Sequence, residues 1–434
     1  MKRILGLLLA LIMLLSAVPA FATTSRTSGL FTYELKGNGT AVITDFDWGN
    51  HDKTDIFIPQ MLDGYTVTAI ANFAFCPFDT FDEIKAYDGF QSWGKDCKIV
   101  LSDTITMIGD FAFAYLDISG FHIPSNLSSI GVGAFAYDNY CVFSIVPEHK
   151  VFAVIDNAIY DKSAKELISC PTHNGKRTIP EGIVSIGDYA FLGCYWKEYD
   201  SKALGINLPS TLRSVGAYAF YVDGSGNFQF NKIPDSVETI GDYAFGGSSY
   251  FDDEVVFSAN LTSLGVGAFA GCEHAEFVIN QACGLTEIPD RCFLNTDSVT
   301  VDFTNISSIG NGSLNTGSLT MTNTKGLKKI GENAFPWRTV PDFELSPQIT
   351  SIPTGFNLTG FDLPNTVKRI ESSAYMSLVR DFYLPSSITF IAEDAFVEGS
   401  TFVVEQGSYP EIWASENGFQ YTYTGGDDLS WLNS

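Results

Sequence analysis

A short pattern of apolar and small residues recurs along the chain. It reads SIGDYAFLGC from Ser185 to Cys194, and SVGAYAFYVD, TIGDYAFGGS and SLGVGAFAGC follow it. Each copy contains an aliphatic residue, a glycine, two variable residues, an alanine and an aromatic residue. At intervals of mostly 21 to 29 residues, the aromatic position holds Phe75, Phe113, Phe135, Phe191, Phe220, Phe245, Phe269, Phe293, Leu314, Phe335, Phe356, Tyr375 and Phe396. A period of this length predicts a solenoid, in which each coil buries its apolar face against its neighbours.

A second element precedes the copies of this pattern. It appears as FHIPSNL, INLPSTL, NKIPDSV, FDLPNTV and FYLPSSI. Apolar residues alternate with others, as in Phe121 and Ile123 or Phe382 and Leu384, which predicts a short strand with one face inward. The proline ends the strand because it has no amide hydrogen to extend a ladder. Each coil is therefore predicted to contain a strand, a turn, a second short extended segment and a corner with glycine.

The corner pattern has a physical interpretation. Ile240, Ala244 and Phe245 are predicted to point inward, with Phe245 stacked on the equivalent phenylalanines of the neighbouring coils. Gly241 is interpreted as the residue that permits a sharp bend, and Asp242 as the N-cap of one helical turn. The alanine is small because coils about 4.8 Å apart leave little room between them.

These segments resemble a known family. IGDYAF, LPSTLRSVGAYAF and IPDSVETIGDYAF are similar to the BspA-like (Treponema pallidum type) leucine-rich repeats, and the resemblance extends over residues 29–423. It implies a right-handed, β-rich repeat solenoid with a parallel sheet on one face and short helical turns at the corners. It also implies a secreted or surface-exposed bacterial protein that acts in adhesion or binding. Two departures, the shortened copy SIPTGFNL and Leu314 in the aromatic position, are expected to loosen or bend the solenoid locally.

The chain is expected to divide into four segments. Residues 1–22 have a basic start, a short apolar run and a small residue on each side of Phe21, which is the pattern of a signal peptide removed on export. Residues 23–66 are similar to the family's N-terminal capping hairpin and first strand. The leucine-rich repeat solenoid is predicted over residues 67–400, with a hairpin inserted at about 144–178, and a C-terminal cap and tail over 401–434. No second apolar run of about 18 residues follows, so we expect no membrane span in the mature chain.

Composition narrows the range of partners and chemistries. The chain has 25 Lys and Arg against 50 Asp and Glu, a net charge of -25, so it repels phosphate backbones and nucleic acid is not expected as a partner. The eight cysteines are too sparse for a disulfide scaffold and are interpreted mainly as buried thiols. No residue pattern for a catalytic nucleophile, a metal ion or a cofactor stands in the context that its chemistry needs. We therefore predict no enzyme activity, no metal and no cofactor.

The favoured function is non-catalytic binding or adhesion to an extracellular protein or glycan ligand, because repeat solenoids present long surfaces for binding. Two alternatives remain open. One is a secreted polysaccharide-degrading enzyme on a β-helix, and the other is a purely structural envelope protein. The internal alanine and aromatic pair in nearly every coil favours the leucine-rich repeat over the β-helix.

Candidate ligand-binding residues lie between the two inward positions of each first strand, because successive side chains of a strand face opposite sides. In chain order these outward positions hold His122, Asn207, Asp302, Glu344, Asp362 and Tyr383. The C-terminal ones are acidic with one aromatic residue, and two further acidic residues lie two positions before Glu344 and Tyr383. The predicted ligand-binding set is therefore Asp302, Asp342, Glu344, Asp362, Asp381 and Tyr383. An aromatic ring beside carboxylates suits a sugar ring or a basic protein segment.

Overall fold

The computed structural model of the chain describes residues 25–52, 54–86, 94, 97–138, 140–171, 176–193, 204–222, 228–247, 249–272, 274–336, 338–340, 342–376 and 380–424. These residues fall into two compact units, one up to Val154 and one from Ile155. The predicted signal peptide lies outside the described residues. Within the described ranges, no helix is both long and apolar enough to cross a bilayer.

The first unit begins with antiparallel strands and continues as parallel coils. Its antiparallel part consists of Arg26–Ser28, Phe31–Leu35 and Thr40–Phe46, and of Met61–Leu62 paired with Tyr65–Ile70. The strands that open the coils pair in parallel as the first ladder, which contains Ile56–Ile58, Lys98–Leu101, Gly120–Ile123 and Phe143–Ile145. The strands that precede the corners pair as the second ladder, which contains Thr40–Phe46, Tyr65–Ile70, Met107–Ile108 and Ser129–Ile130. The unit also holds one short helix, Phe81–Ala86. The strand Phe152–Ile155 includes Val154, the last residue of this unit.

The second unit repeats the same two ladders. It begins with the antiparallel hairpin of Ala158–Asp161 and Glu166–Ser169. Its first ladder consists of four separate groups of paired strands. In chain order these groups are Arg177–Thr178, Leu204–Asn207, Phe228–Phe230 and Ser249–Phe251; Val255–Val256, Glu276–Ile279, Ser298–Asp302 and Ser318–Thr322; Arg338–Thr339 and Leu358–Thr359; and Asp381–Leu384, Thr401–Val404 and Gln420–Tyr423. Its second ladder consists of three separate groups of paired strands. In chain order these groups are Glu166–Ser169, Ser185–Ile186, Ser214–Val215, Thr239–Ile240 and Ser263–Leu264; Glu287–Ile288, Ser308–Ile309 and Lys329–Ile330; and Ser351–Ile352, Arg369–Ile370 and Phe390–Ile391. A 3-10 turn, Thr324–Gly326, and a C-terminal helix, Tyr409–Glu416, complete it.

A column of aromatic rings fills the interior beside the corners. The Phe245 ring lies 5.3 Å from the rings of both Phe220 and Phe269, at interplanar angles of 19° and 3°. The Phe245 side chain is fully buried. The predicted stacking of Phe245 on the equivalent rings of the neighbouring coils is therefore confirmed, and each ring contributes apolar area that is removed from water.

The corners correct two sequence interpretations. Gly241 does not have a left-handed backbone. A Cβ atom there would lie 2.6 Å from the Ala217 nitrogen of the preceding coil, so the glycine is needed because the coils approach so closely. Asp242 does not cap a helical turn of its own coil. Its Oδ1 accepts a hydrogen bond of 2.7 Å from the backbone N–H of Val266, the equivalent corner position one coil later.

This inter-coil hydrogen bond recurs at other corners. The Asp188 carboxylate accepts from the Ala217 N–H at 2.7 Å, and the Asp110 carboxylate accepts from the Val132 N–H at 2.8 Å. Backbone bonds run beside it, such as Phe245 N–H to the Ala268 carbonyl at 2.9 Å. The corners that carry an aspartate are therefore tied to the next coil through both the backbone and one side chain.

The seven cysteines within the described ranges are all buried. Burial raises the pKa of the Cys76 and Cys170 thiols to about 12, so both remain protonated at neutral pH. The Sγ of Cys272 lies 3.1 Å from the Phe245 carbonyl oxygen of the preceding coil. These side chains act as small apolar groups between coils, as predicted.

Candidate binding site at a break in the first ladder

The first ladder of the second unit loses its regular strands after Ser318–Thr322. The next two coils contribute only the two-residue strands Arg338–Thr339 and Leu358–Thr359. These strands pair with each other and lie upstream of the usual strand position. The ladder resumes at Asp381–Leu384, which pairs with Thr401–Val404. Among the described residues, Asp381–Leu384 has no ladder partner on the side that faces the preceding coil.

Two segments occupy the positions of first-ladder strands without forming strands. These are residues 342–345 and 360–363. Their apolar side chains still point inward, since Phe343 and Leu363 are buried. The alternation of side chains is thus retained in these coils while the backbone pairing is lost.

The aromatic column changes geometry in the same coils. Phe356, from the shortened copy, meets Phe335 at an interplanar angle of 85° and Tyr375 at 81°. Elsewhere the rings lie nearly parallel, as in the 2° between Phe269 and Phe293. The shortened copy therefore coincides with a local irregularity, as the sequence led us to expect.

The second ladder and the corners stay paired across this region. Ser351–Ile352 pairs with Arg369–Ile370, and the Asn357 N–H donates to the Ala374 carbonyl at 3.0 Å. The coils are therefore held together on two sides and separate only along the first ladder.

The separation leaves a cleft of about 130 Å³, which we call the ladder cleft. Residues 358–363 line it on one side, and Tyr375 with residues 380–383 lines it on the other. Three of the predicted ligand-binding residues, Asp362, Asp381 and Tyr383, meet there. Asp362 and Asp381 are exposed and Tyr383 is half-buried.

The polar groups of the ladder cleft differ in whether they have hydrogen-bond partners. The Arg380 guanidinium donates a hydrogen bond of 2.7 Å to the Thr339 hydroxyl, and the Thr401 hydroxyl donates to the Asp381 carboxylate. The Thr359 hydroxyl has no hydrogen-bond partner in the described part of the chain, although the residue is only 5% exposed. A buried hydroxyl without a partner is unfavourable, and Thr359 is one of the residues that line the cleft.

The other predicted site residues lie outside the ladder cleft. Asp342 is exposed one coil earlier, and the Glu344 carboxylate forms an ion pair with Lys325. Asp302 ends a regular strand, where its carboxylate accepts hydrogen bonds from the Thr304 N–H at 2.8 Å and the Asn323 side chain at 2.9 Å. Partial burial opposes ionisation of Asp302, but hydrogen bonds from Thr304 and Asn323 outweigh it and hold the pKa below its usual value. Asp302 and Glu344 are thus already engaged by neighbouring coils.

The outward positions of the earlier coils also bond between coils. A ring nitrogen of His122 lies 2.9 Å from the Ser144 hydroxyl, and the Asn207 amide donates to the Thr178 hydroxyl at 3.0 Å. These contacts join adjacent strands of the first ladder.

Sequence reasoning missed three residues that line the ladder cleft, namely Thr359, Phe361 and Arg380. Arg380 immediately precedes a predicted strand, so its charge beside Asp381 was a usable signal. Thr359 gave none, because its lack of a hydrogen-bond partner follows from the lost pairing. Within the described ranges, no three His, Cys, Asp or Glu side chains come together as metal ligands.

Two ladders of short parallel strands, joined by corners that stack one ring per coil, define a parallel β-solenoid repeat protein. The family description BspA type Leucine rich repeat region matches the chain in six copies, over residues 88–176, 169–300, 221–341 and 354–403. The chain therefore belongs to the BspA type leucine-rich repeat family, as its sequence motifs predicted.

Several solved structures are similar to this chain. A leucine rich cell surface protein from Faecalibacterium prausnitzii is 19% identical, with a TM-score of 0.43, over 90% of this chain and 97% of that one. A leucine-rich repeat protein from Eubacterium ventriosum is 16% identical, with a TM-score of 0.37, over 87% and 94%. A leucine-rich repeat protein from Bacteroides ovatus is 16% identical, with a TM-score of 0.34, over 92% and 99%. No protein of curated function matches the sequence.

Proposed function

We propose that this protein is a secreted or cell-surface repeat protein that binds an extracellular protein or glycan ligand and catalyses no reaction on it. The observation that carries the proposal is the ladder cleft. It brings Asp362, Asp381 and Tyr383 together from two coils beside a buried hydroxyl that has no partner among the described residues. Carboxylates, a hydroxyl and aromatic rings together suit contact with a polar ligand group.

The size of the cleft supports binding rather than catalysis. Sites for small molecules typically enclose about 300–1,000 Å³, whereas the ladder cleft encloses about 130 Å³. It has room for one side chain or one ring of a larger partner, not for a polymer segment together with catalytic groups. The remaining contact area would come from the exposed surface around it.

The segments outside the repeats fit the same proposal. Residues 1–22 would direct export, and residues 23–66 and 401–434 would cap the repeats at 67–400. Caps are needed because the terminal coils of a solenoid otherwise expose their apolar faces and strand edges. The C-terminal helix Tyr409–Glu416 buries Trp413 and Ala414, as a cap of this kind requires.

A binding screen tests the proposed function. The mature chain, residues 23–434, would be probed against arrays of glycans and of extracellular proteins. For any ligand found, the double variant Asp362→Ala with Tyr383→Ala is expected to weaken binding at least tenfold, because it removes a carboxylate and an aromatic ring from the cleft. The melting temperature should change little, since neither side chain is fully buried.

The matched control is the double variant Asp253→Ala with Tyr250→Ala. It removes the same two kinds of side chain from another part of the second unit, where Asp253 is exposed and Tyr250 is half-buried. Its affinity should equal that of the unmodified chain. Equal affinity of all three proteins would contradict a site at the ladder cleft and would move the search to residues 78–97 or to the hairpin near Asp156.

A further inference from the structure

We propose that the ladder cleft receives the side chain of a single arginine residue presented by a basic extracellular protein. The inference rests on the proposed binding function and specifies the chemistry of the bound group.

The volume of the ladder cleft limits its occupant to one small group. A protein cavity of about 150 Å³ holds one benzene molecule, and the ladder cleft encloses about 130 Å³. A planar guanidinium group with its adjoining methylenes is of this size. A complete strand does not fit, because the second ladder keeps these coils paired through Arg369–Ile370 and Phe390–Ile391.

The available polar groups of the cleft are hydrogen-bond acceptors. Asp362 and Asp381 supply carboxylate oxygens, and in the described part of the chain neither forms an ion pair. The Thr359 hydroxyl oxygen is buried and has no partner there. Arginine brings five N–H donors and no acceptor, and its planar fork matches carboxylate geometry. A guanidinium group would therefore pair with the carboxylates of the cleft.

The cation already present in the cleft, Arg380, is hydrogen-bonded to a neighbouring coil and forms no ion pair in the described part of the chain. Arg380 donates to the Thr339 hydroxyl at 2.7 Å, which directs its guanidinium toward the coil of Arg338–Thr339. The two carboxylates thus remain available to a cation from outside. Both carboxylates would repel an anionic ligand.

Aromatic rings complete the site for a planar cation. Phe361, Phe382 and Tyr383 line the cleft, and ring faces attract guanidinium groups within about 6 Å of the ring centre. The whole chain carries a net charge of -25, which accelerates the approach of a basic partner at low ionic strength.

A pair of blocked pentapeptides tests the inference on the mature chain. One peptide has a central arginine flanked by glycine and serine, and the other has citrulline, which keeps the shape but is neutral. Affinities would be measured by NMR titration of the peptide resonances at low salt. We expect the arginine peptide to bind at least tenfold more tightly than the citrulline peptide.

Two variants with the same change in net charge locate the binding. Asp362→Asn with Asp381→Asn should abolish the preference for arginine. Asp253→Asn with Glu254→Gln, which alters two exposed acidic residues elsewhere in the second unit, should leave it unchanged. Circular dichroism on every variant would confirm that it folds.

Equal binding of the two peptides, or a preference that survives Asp362→Asn with Asp381→Asn, would overturn the inference. If a glycan or protein ligand from the screen still depended on Asp362 and Tyr383 in that case, the proposed function would stand and only the arginine specificity would be lost.

Discussion

At the scale of single residues, two buried threonines of the second unit differ in their hydrogen bonding. The Thr324 hydroxyl donates to the Glu344 carbonyl at 3.0 Å and accepts from the Glu344 N–H at 2.9 Å. The Thr359 hydroxyl has no such partner among the described residues. The two are similarly buried, at 6% and 5% exposed, so they form a matched pair for measuring what a hydrogen bond contributes here.

Valine replaces threonine with almost the same shape. Thr324→Val is expected to lower the free energy of unfolding by about 1–3 kcal/mol, because it leaves the Glu344 N–H unpaired. Thr359→Val is expected to raise it by up to about 1 kcal/mol, because a methyl group replaces an unpaired buried hydroxyl. Urea denaturation of both variants measures the difference. Equal losses in the two would show that Thr359 has a partner after all.

Asp138, in the first unit, is a fully buried carboxyl group. Its Oδ1 accepts from the backbone N–H groups of Tyr140 and Cys141 at 3.3 and 3.2 Å, while its Oδ2 has no partner in the described part of the chain. Burial, and to a lesser extent the charge of Asp117, raises the pKa of Asp138 well above its usual value. The folded chain therefore holds this proton more tightly than the unfolded chain.

This raised pKa predicts a pH dependence of stability. Below the ordinary pKa of an aspartate, about 4, Asp138 is protonated in both states and has no effect. As the pH rises from there toward the folded-state pKa, its contribution to stability falls by up to about 1.4 kcal/mol per pH unit. Asp138→Asn removes the titration, so its advantage over the unmodified chain should grow with pH. Urea denaturation at pH 5, 6, 7 and 8 measures this.

Asp45→Asn is the control for Asp138, because Asp45 is exposed in the same unit. Its difference from the unmodified chain should stay constant over the same pH range. A constant difference for Asp138→Asn as well would mean that the carboxyl group is solvated in solution.

At the scale of the coil, the aromatic column supplies the largest buried side chains. Phe245 contacts Phe220, Phe269 and, edge-on at 5.1 Å, Phe230. Phe245→Ala is expected to lower the free energy of unfolding by about 3–5 kcal/mol, because it opens a cavity that neighbouring coils cannot fill while their backbones remain paired. Asp253→Ala, at an exposed position, should change it by less than about 0.5 kcal/mol. Chemical denaturation compares the two, and similar losses would contradict the stacked column.

Sequence alone predicted the coil better than it predicted the site. The stacking of Phe245 followed from the period, since a ring repeated once per coil must meet its equivalents. The predicted role of Asp242 was wrong, because the donor that its carboxylate meets depends on which backbone N–H lies beside it. That relation exists only after the coils have stacked.

The ladder cleft shows the same limit. The shortened copy around Phe356 signalled an irregular coil, but Phe343 and Leu363 kept their inward pattern. Loss of backbone pairing is invisible in a side-chain pattern, so the sequence did not indicate which ladder would open. Asp362 and Tyr383 were predicted because they are outward residues, and Thr359 was not predicted.

At the scale of the whole molecule, export is the expectation that can be tested most directly. The first 22 residues have the features of a signal peptide, and the mature protein is expected to begin at Thr23. N-terminal sequencing of protein recovered from the culture supernatant or the cell surface measures this. Full-length chain beginning at Met1 and confined to the cytosol would contradict both export and the proposed extracellular ligand.

The hydrogen bond from an aspartate corner to the next coil has a consequence for how such a chain changes in length during evolution. The carboxylate of Asp242 serves Val266 of the following coil, and Asp188 serves Ala217 in the same way. Duplication of a coil that has such an aspartate thus carries along an acceptor for whatever coil comes next. An insertion of only part of a coil, without the aspartate, would leave the following corner amide without this acceptor.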